Sequence, residues 1–563
     1  MPGLSAGVAG RGLLRSPYPY FALVGVAATL ACLHLTRTSP GIVPDSVVYL
    51  GTARNLLDGR GLSTPFNLMF NPYPPAIAVT FHGAVPLTQY PPLFPFALSV
   101  LGWFGMGLVS AARVLNAVLL GVNVVLAGVL VLRVTRSALL GVLSALAFAL
   151  TANVIINHGL VMSEPLMLAI VLAGILLLPR LLRDPGPWAL VAVGAAAAAA
   201  TLTRLAAISF TMAAVVAVLL WLAGSWSTRA RYAAALGAMG AAPTLLWAVA
   251  TRIRHPSANV RPLGFHPPGW RQFDLAVDTV SGWILPLGPS RIWRVAVLVA
   301  VAVLVAVLAV LQARDRERRA ARRAGDAPTG AATPAPAVDD GARLLGILAL
   351  FVAAYLVMVL FTAVFLDDST ALDGRLLLPV QITASVLVMG LLYRALLGRS
   401  GRVVATVVVV AVLVWCAWPG RAIVRPFKNQ STISALDESF PRRPRSEIAA
   451  AVRELPEGTL LASNVPAVLY LDSGRGSIFL PPRQYLVAGE RNADYRAQLR
   501  ELGRVFGAGH GYVVLYPDTN SALVSLADLR AAVDLVEVGR FADGTLYRVG
   551  PAVASGSGSA SGK

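Results

Sequence analysis

Charge is scarce in this 563-residue sequence. Only 13% of its residues are Asp, Glu, Lys or Arg, against 56% that are hydrophobic, a balance that excludes a soluble globular protein. Cysteine is scarcer still: Cys32 and Cys416 both sit inside apolar runs, so neither a disulfide framework nor a thiolate metal cluster is implied. Lysine is confined to positions 428 and 563, and the formal charge of +19 is therefore carried by arginine, which reads as a compositional habit of the source. That charge alone suggests nucleic acid. The arginines, however, are spread through short loops between apolar runs, whereas a nucleic-acid surface gathers them on one soluble face. Nucleic acid is excluded. The first apolar run is long and lacks a small-residue cleavage site, so it reads as a retained span.

What is present is hydrophobic length. Crossing the hydrocarbon takes about 20 apolar residues. About eleven runs qualify, near 18–36, 111–132, 137–155, 160–179, 186–203, 205–223, 232–251, 292–312, 343–365, 376–396 and 403–419. Loops rich in Arg stay cytoplasmic. With Arg11 and Arg15 inside, the alternate loops hold Arg133 and Arg136, Arg180 and Arg183, Arg229 and Arg231, the run RDRERRAARR, and Arg394, Arg399 and Arg402. The alternation holds at every turn. PPLFPFALSVLGWFG, Pro91 to Gly105, would break it as a span, and its length and prolines fit an interfacial or re-entrant helix. The extracytoplasmic face then carries a large first loop at 37–110, a second at 252–291, a short acidic loop at 366–375 and everything after about 420. Residues 314–342, including GDAPTGAATPAPAVDD, read as a cytoplasmic disordered linker.

The expected organisation is a polytopic α-helical membrane domain over 1–420, an extracytoplasmic α/β domain over 421–552 and a flexible tail over 553–563. In the second domain SEIAAAVRELPEG and DYRAQLRELGRVFGAG read as helices, TLLASN and YVVLY as strands, SLADLRAAVDL as a helix capped by Ser525 and Asp528, and LVEVGRFADGTLYRVG as a hairpin turning at Asp543 and Gly544. This domain has no Gly-rich phosphate loop and no metal-spaced cluster, so a recognition or supporting role is expected of it.

The chemistry is sought at the membrane face. PDSVVYLGTARNLLDGRGL, Pro44 to Leu62, places Asp45 at the start of a short helix, with Gly59 and Gly61 to stop it. As a helix cap Asp45 has an ordinary explanation, since Asp is a favoured N-cap. Behind it come NPYPP, His82 and TQYPPLFPF with Tyr90, in a loop long enough to suggest function. Glu164 opens a span in SEPL, Arg204 lies at an outer turn in LTR, and Arg375 opens a late span in DGRLLLP. Each alone fits snorkelling or a structural ion pair; their convergence on one face points to a site.

In order and spacing these segments resemble the GT-C superfamily of membrane glycosyltransferases, in the branch of the protein O-mannosyltransferases and lipid A aminoarabinose transferases. The resemblance rests on PDSVVYLGTARNLLDGRGL, YPPLFPFALSVLGWFG, ARVLNAVLLGVNVVLAGVLVLRVTR, SEPL and LTR, and more weakly on DGRLLLPV and SNVPAVLYLDSGR. It implies a polyprenyl-phosphate sugar as donor and a catalytic carboxylate in the first outer loop, which falls on Asp45. A carboxylate suits the role of general base to an acceptor hydroxyl, and arginines suit the departing lipid phosphate. Arg375 and Arg204 are the first candidates for that phosphate, with Arg261 and Arg271 next; Glu164, His82 and Tyr90 are candidates to position sugar or acceptor. Relatives with two adjacent acids differ here, because Ser46 follows Asp45. No resident metal site is assigned. Asp367, Asp368 and Asp373 could offer oxygen ligands to a divalent cation beside Asp45, against the plainer reading of a solvated acidic loop.

The expected function is inverting transfer of one sugar, mannose and arabinose both open, from a polyprenyl-phosphate donor to a glycolipid, cell-wall glycan or protein outside the inner membrane of a bacterium. A lipid-linked glycan ligase or polymerase is the alternative, with a diphosphate donor and a dominant late loop. A transporter is less well supported, because its binding residues and broken helices belong near mid-membrane. A non-enzymatic assembly protein would tolerate loss of Asp45.

Overall fold

The structure, a computed structural model, describes residues 16–66, 84–254, 264–265, 267, 269–285, 290–325, 339–366, 370–417, 446–484, 491–517 and 523–550. Most of them are helical. Backbone groups in lipid must be satisfied within their own segment, so long Val, Ala and Leu runs resolve as helices. Seven are long and apolar enough to cross a membrane: α1 (Tyr18–Leu35), α4 (Leu108–Thr135), α7 (Glu164–Arg183), and stretches within α10 (Trp226–Arg254), α12 (Arg291–Gly325), α13 (Asp340–Phe365) and α14 (Leu378–Ala417). An eighth is the pair α5 (Ala138–Ala149) and α6 (Ala152–Gly159), bent by 58°. The chain is a multi-pass membrane protein.

The count of about eleven differs from seven or eight for a definable reason. Three expected spans are apolar helices of 10–17 residues: α8 (Pro187–Thr203), the segment Leu205–Trp221 comprising a 3-10 turn and α9 (Ile208–Trp221), and Gly401–Val414, the distal part of α14. Gly401 breaks α14 with a φ of 79°. The segment at 91–105 holds only α3 (Leu93–Trp103), 11 residues. Part of the expected linker is helical instead: α12 runs on through 314–325, where Ala and Arg favour helix. Residues 326–338, 418–445 and 553–563 lie outside the described residues.

Small residues bring the spans together. Gly121 of α4 lies so close to α1 that a Cβ there would stand 2.5 Å from the Gly25 carbonyl oxygen, and Gly128 meets the Gly141 carbonyl of α5 at 2.7 Å. Around these contacts a continuous core of Leu120, Val171, Phe210, Phe351 and Leu378 joins the helices. Two short strands, β1 (Ser63–Thr64) and β2 (Val85–Pro86), pair antiparallel in the first loop. The last region is a five-stranded sheet in which β3 (Leu461–Ser463) runs parallel to β4 (Ile478–Phe479) and β5 (Tyr512–Leu515), and β7 (Gly544–Val549) antiparallel to β5 and β6 (Leu535–Phe541), giving the order β4-β3-β5-β7-β6. Helices α15 (Glu447–Glu454), α16 (Pro466–Ser473), α17 (Tyr495–Ala508) and α18 (Leu526–Ala532) pack around it. Ser525 Oγ accepts from the Asp528 N–H, which starts α18, and β6 turns into β7 at Ala542 and Asp543.

Sheet region and membrane helices share a core. Val47 and Val48 of α2 (Pro44–Leu57) are buried with Phe66 and Leu87 against Ala467, Tyr470 and Leu471 of α16. The two regions are also joined by backbone, since the Ser477 N–H donates to the Pro65 carbonyl at 3.2 Å.

Candidate active site

Pro44 occupies the first turn of α2, where its missing N–H costs nothing. Ser46 closes the helix start, because its Oγ accepts the Val43 N–H at 3.0 Å. This corrects the capping explanation of Asp45. The Asp45 carboxylate is turned elsewhere: Oδ1 accepts from the Tyr90 hydroxyl at 2.8 Å, and Oδ2 pairs with Arg375 Nη1 at 2.8 Å.

Arg375 comes from the turn before α14. Asp373 Oδ1 accepts the backbone N–H groups of Arg375 and Leu376, at 3.1 and 2.9 Å, and so gives that turn its shape. The guanidinium lies between two acids, with Nε 3.5 Å from Glu164 Oε1 on its far side. Glu164 opens α7 and is 2% exposed, and its Oε1 also lies 2.9 Å from Nη1 of Arg204, the residue that ends α8. Arg204 reaches Ser163 Oγ at 3.4 Å, and Ser163 shares a hydrogen bond with the Tyr49 hydroxyl at 3.0 Å. Tyr49 stacks edge-on against Tyr90, with ring centroids 5.3 Å apart. The result is a closed circuit: Asp45, Arg375, Glu164, Arg204, Ser163, Tyr49, Tyr90 and back to Asp45.

The electrostatics follow from this closure. Burial works against the charge on Arg375, but Glu164, Asp45 and Asp373 outweigh it and hold the proton above the ordinary arginine range. Arg204 is treated alike, with burial opposed chiefly by Glu164. Burial, and then the negative charge of Asp45, push the Tyr90 hydroxyl upward, so it stays a donor to that carboxylate. Two fixed cations, one partly exposed carboxylate and a hydroxyl donor can bind an oxyanion, accept a proton and orient a hydroxyl ligand.

Of the residues singled out in the sequence, the structure brings together Asp45, Arg375, Arg204, Glu164 and Tyr90. Arg271 lies on α11 (Trp270–Gly282), whose ion pairs run to α12 through Asp274 with Arg291 and Asp278 with Arg294, the latter at 2.7 Å. His82, Arg261, Asp367 and Asp368 lie outside the described residues. Asp373 is engaged in shaping its own turn. Among the described residues no group of three or more His, Cys, Asp or Glu side chains is placed to hold a metal ion. Tyr49 and Ser163 were missed. Both carried a signal: Tyr49 falls four residues after Asp45 on the same helix face, and Ser163 precedes Glu164.

A sequence model of the dolichyl-phosphate-mannose-protein mannosyltransferase family matches residues 67–237. No curated protein matches the chain. Among solved structures, apo ArnT from Cupriavidus metallidurans aligns with 95% of this chain and 98% of its own, at 15% identity and a TM-score of 0.48. The oligosaccharyltransferase AglB from Archaeoglobus fulgidus, in complex with an inhibitory peptide and a dolichol-phosphate, aligns with 88% of this chain and 69% of its own, at 14% identity and a TM-score of 0.44. The matched span of the family model carries Tyr90, Ser163, Glu164 and Arg204, and the resemblance drawn from the sequence is borne out there: residues 67–237 bear the signature of the dolichyl-phosphate-mannose-protein mannosyltransferases.

Proposed function

We propose that this protein is an integral membrane glycosyltransferase that moves one sugar from a polyprenyl-phosphate donor to a hydroxyl acceptor, with inversion at the anomeric carbon. The family match supports the lipid-linked donor. The observation that carries the site assignment is the position of Arg375, 2.8 Å from Asp45 and 3.5 Å from Glu164, which sets a phosphate-binding cation beside a candidate base.

Asp45 takes the proton of the acceptor hydroxyl as that oxygen attacks the anomeric carbon. The bond from that carbon to the phosphate oxygen breaks, and the lipid phosphate leaves carrying one more negative charge than it had as a diester. Arg375 and Arg204 stabilise that growing charge, and a guanidinium does so without risk of deprotonation. A phosphate oxygen and Asp45 compete for the same edge of Arg375, so donor binding frees Asp45 Oδ2 for the acceptor. Glu164 Oε2 has no hydrogen-bond donor among the described residues, which suits it to a sugar hydroxyl. Arg261 and Arg271 are further cations of the 252–291 loop, and His82 belongs to the acceptor side. Mannose and a pentose such as arabinose both fit this chemistry, as do glycolipid, cell-wall glycan and protein acceptors. The distribution of arginine supports a cytoplasmic N-terminus, with the site and sheet region outside, and suits a bacterial inner membrane.

Transfer from labelled polyprenyl-phosphate sugars by purified protein in lipid tests this reading. Asp45→Asn is expected to lower turnover by about 10²- to 10⁴-fold while donor binding persists. Native turnover by that variant would remove Asp45 from the chemistry. Turnover of a nucleotide sugar with no lipid carrier would overturn the donor class.

A further inference from the structure

Arg375 is a long side chain on a short turn outside any helix, and its head group has to be aimed. The Asp373–Leu376 turn is held from three directions. Asp373 holds it from within. The Tyr355 hydroxyl of α13 donates to the Leu376 carbonyl at 2.9 Å. The third hold comes from the broken span: the 58° bend between α5 and α6 swings Asn153 to the turn, where Nδ2 donates to the Gly374 carbonyl at 2.7 Å and to Gln381 Oε1 at 2.7 Å. A backbone carbonyl only accepts, so the orientation of the Asn153 amide is fixed by chemistry. Asn157 completes it, donating from Nδ2 to Asn153 Oδ1 at 2.9 Å. The approach is close: a Cβ on residue 374 would stand 2.4 Å from Asn153 Oδ1, so the amide held there would have to shift.

We infer that Asn153 is a positioning residue for donor binding, acting through the Gly374 carbonyl to aim Arg375 at the lipid phosphate. Its counterpart on the turn is Gly374. The inference rests on the reading of Arg375 as the phosphate-binding cation. A polar residue inside an apolar run is expensive, and here Asn157 and Gln381 both engage Asn153, which reaches the turn whose charged side chains are Asp373 and Arg375.

The test measures binding of a polyprenyl monophosphate, and steady-state transfer, for the full-length protein in lipid. Variants are Asn153→Ala, Gly374→Ala, their combination, and Arg375→Ala as reference, each with its thermal midpoint. Asn153→Ala and Gly374→Ala are each expected to weaken phosphate binding and raise the donor KM about three- to ten-fold, the effect of one lost neutral hydrogen bond, with kcat changed less. In the double variant the clash of Gly374→Ala has no amide to meet, so it should match Asn153→Ala alone. If Arg375→Ala binds the phosphate as the native protein does, the reading of the site falls. If Arg375→Ala loses binding while Asn153→Ala and Gly374→Ala keep it, the site stands and the positioning role is overturned. Strictly additive losses in the double variant, or lower thermal midpoints with unchanged phosphate binding, overturn it too. Should Asn153→Ala not fold, Gly374→Ala decides by the same binding measurement.

Discussion

Glu164 shows how much of this site depends on one buried acid. It is the shared counter-ion of Arg204 and Arg375, at 2.9 and 3.5 Å, and two guanidiniums brought together without it repel in a poorly solvated setting. Removing one member of a buried ionic set leaves uncompensated charge, at a cost of about 3 kcal/mol. Glu164→Ala is therefore expected to lower the thermal midpoint in detergent markedly, and added inorganic phosphate should recover part of the loss by supplying an anion. An unchanged midpoint would mean that water already screens the pair. The sequence made these charged residues visible one by one, because acids and arginines at span ends stand out against Val, Ala and Leu. Their partners were not legible, since Asp45 and Arg375 lie 330 positions apart. The ordinary capping explanation of Asp45 fails because Ser46, one residue later, supplies the oxygen that takes the Val43 N–H.

At the scale of elements, α2 carries Asp45 and has little room to move. Gly51, about two turns further along, is pressed against Pro65 and Tyr470: a Cβ there would stand 2.5 Å from Pro65 Cδ and 3.3 Å from Tyr470 Cε1. Alanine favours helix over glycine by up to about 1 kcal/mol, but overpacking costs about 1–3 kcal/mol. Gly51→Ala should lower the thermal midpoint slightly and transfer several-fold, because α2 can reseat only by carrying Asp45 away from Arg375. Native transfer rates would show that Asp45 tolerates displacement of its helix. Helix identity was readable from apolar length, and so were both glycines that end α2, Gly59 and Gly61, which take φ values of 73° and 67°. Helix endings were less legible. Arg204 stops α8 after 17 residues, and the break after α5 falls at Leu150 and Thr151, where a hydropathy window passes straight through.

Across the whole molecule, helix ends alternate between two faces. Opposite the candidate site, Asp339 at the start of α13 pairs with Arg136 beyond α4 and with Arg394 of α14, and Asp340 pairs with Arg183 at the end of α7. The run of arginines in alternate loops foretold that face; which acids would meet them depended on packing. Burial raises the Asp339 carboxyl, but hydrogen bonds and charge from Arg394, the Gly341 N–H and Arg136 outweigh it and hold it below its usual range. Its contribution is therefore present above the unfolded carboxylate range and disappears as pH falls through the lower folded one. Asp339→Asn should destabilise the protein at neutral pH and converge with the native chain in acid, as read by thermal midpoints across pH. A constant offset at every pH would assign Asp339 a purely steric part. The distance along the chain between Asp45 and Arg375 also sets a schedule. Ribosomes add about 5–20 residues per second, so on the order of half a minute separates the emergence of the acid from that of its cation. The Glu164 and Arg204 pair closes across a single hairpin of α7 and α8, so the deepest charge is neutralised early in insertion. The Asp45–Arg375 pair closes later, so on the proposed function an incomplete nascent chain already threaded into the bilayer would lack the paired base and cation with which to consume donor.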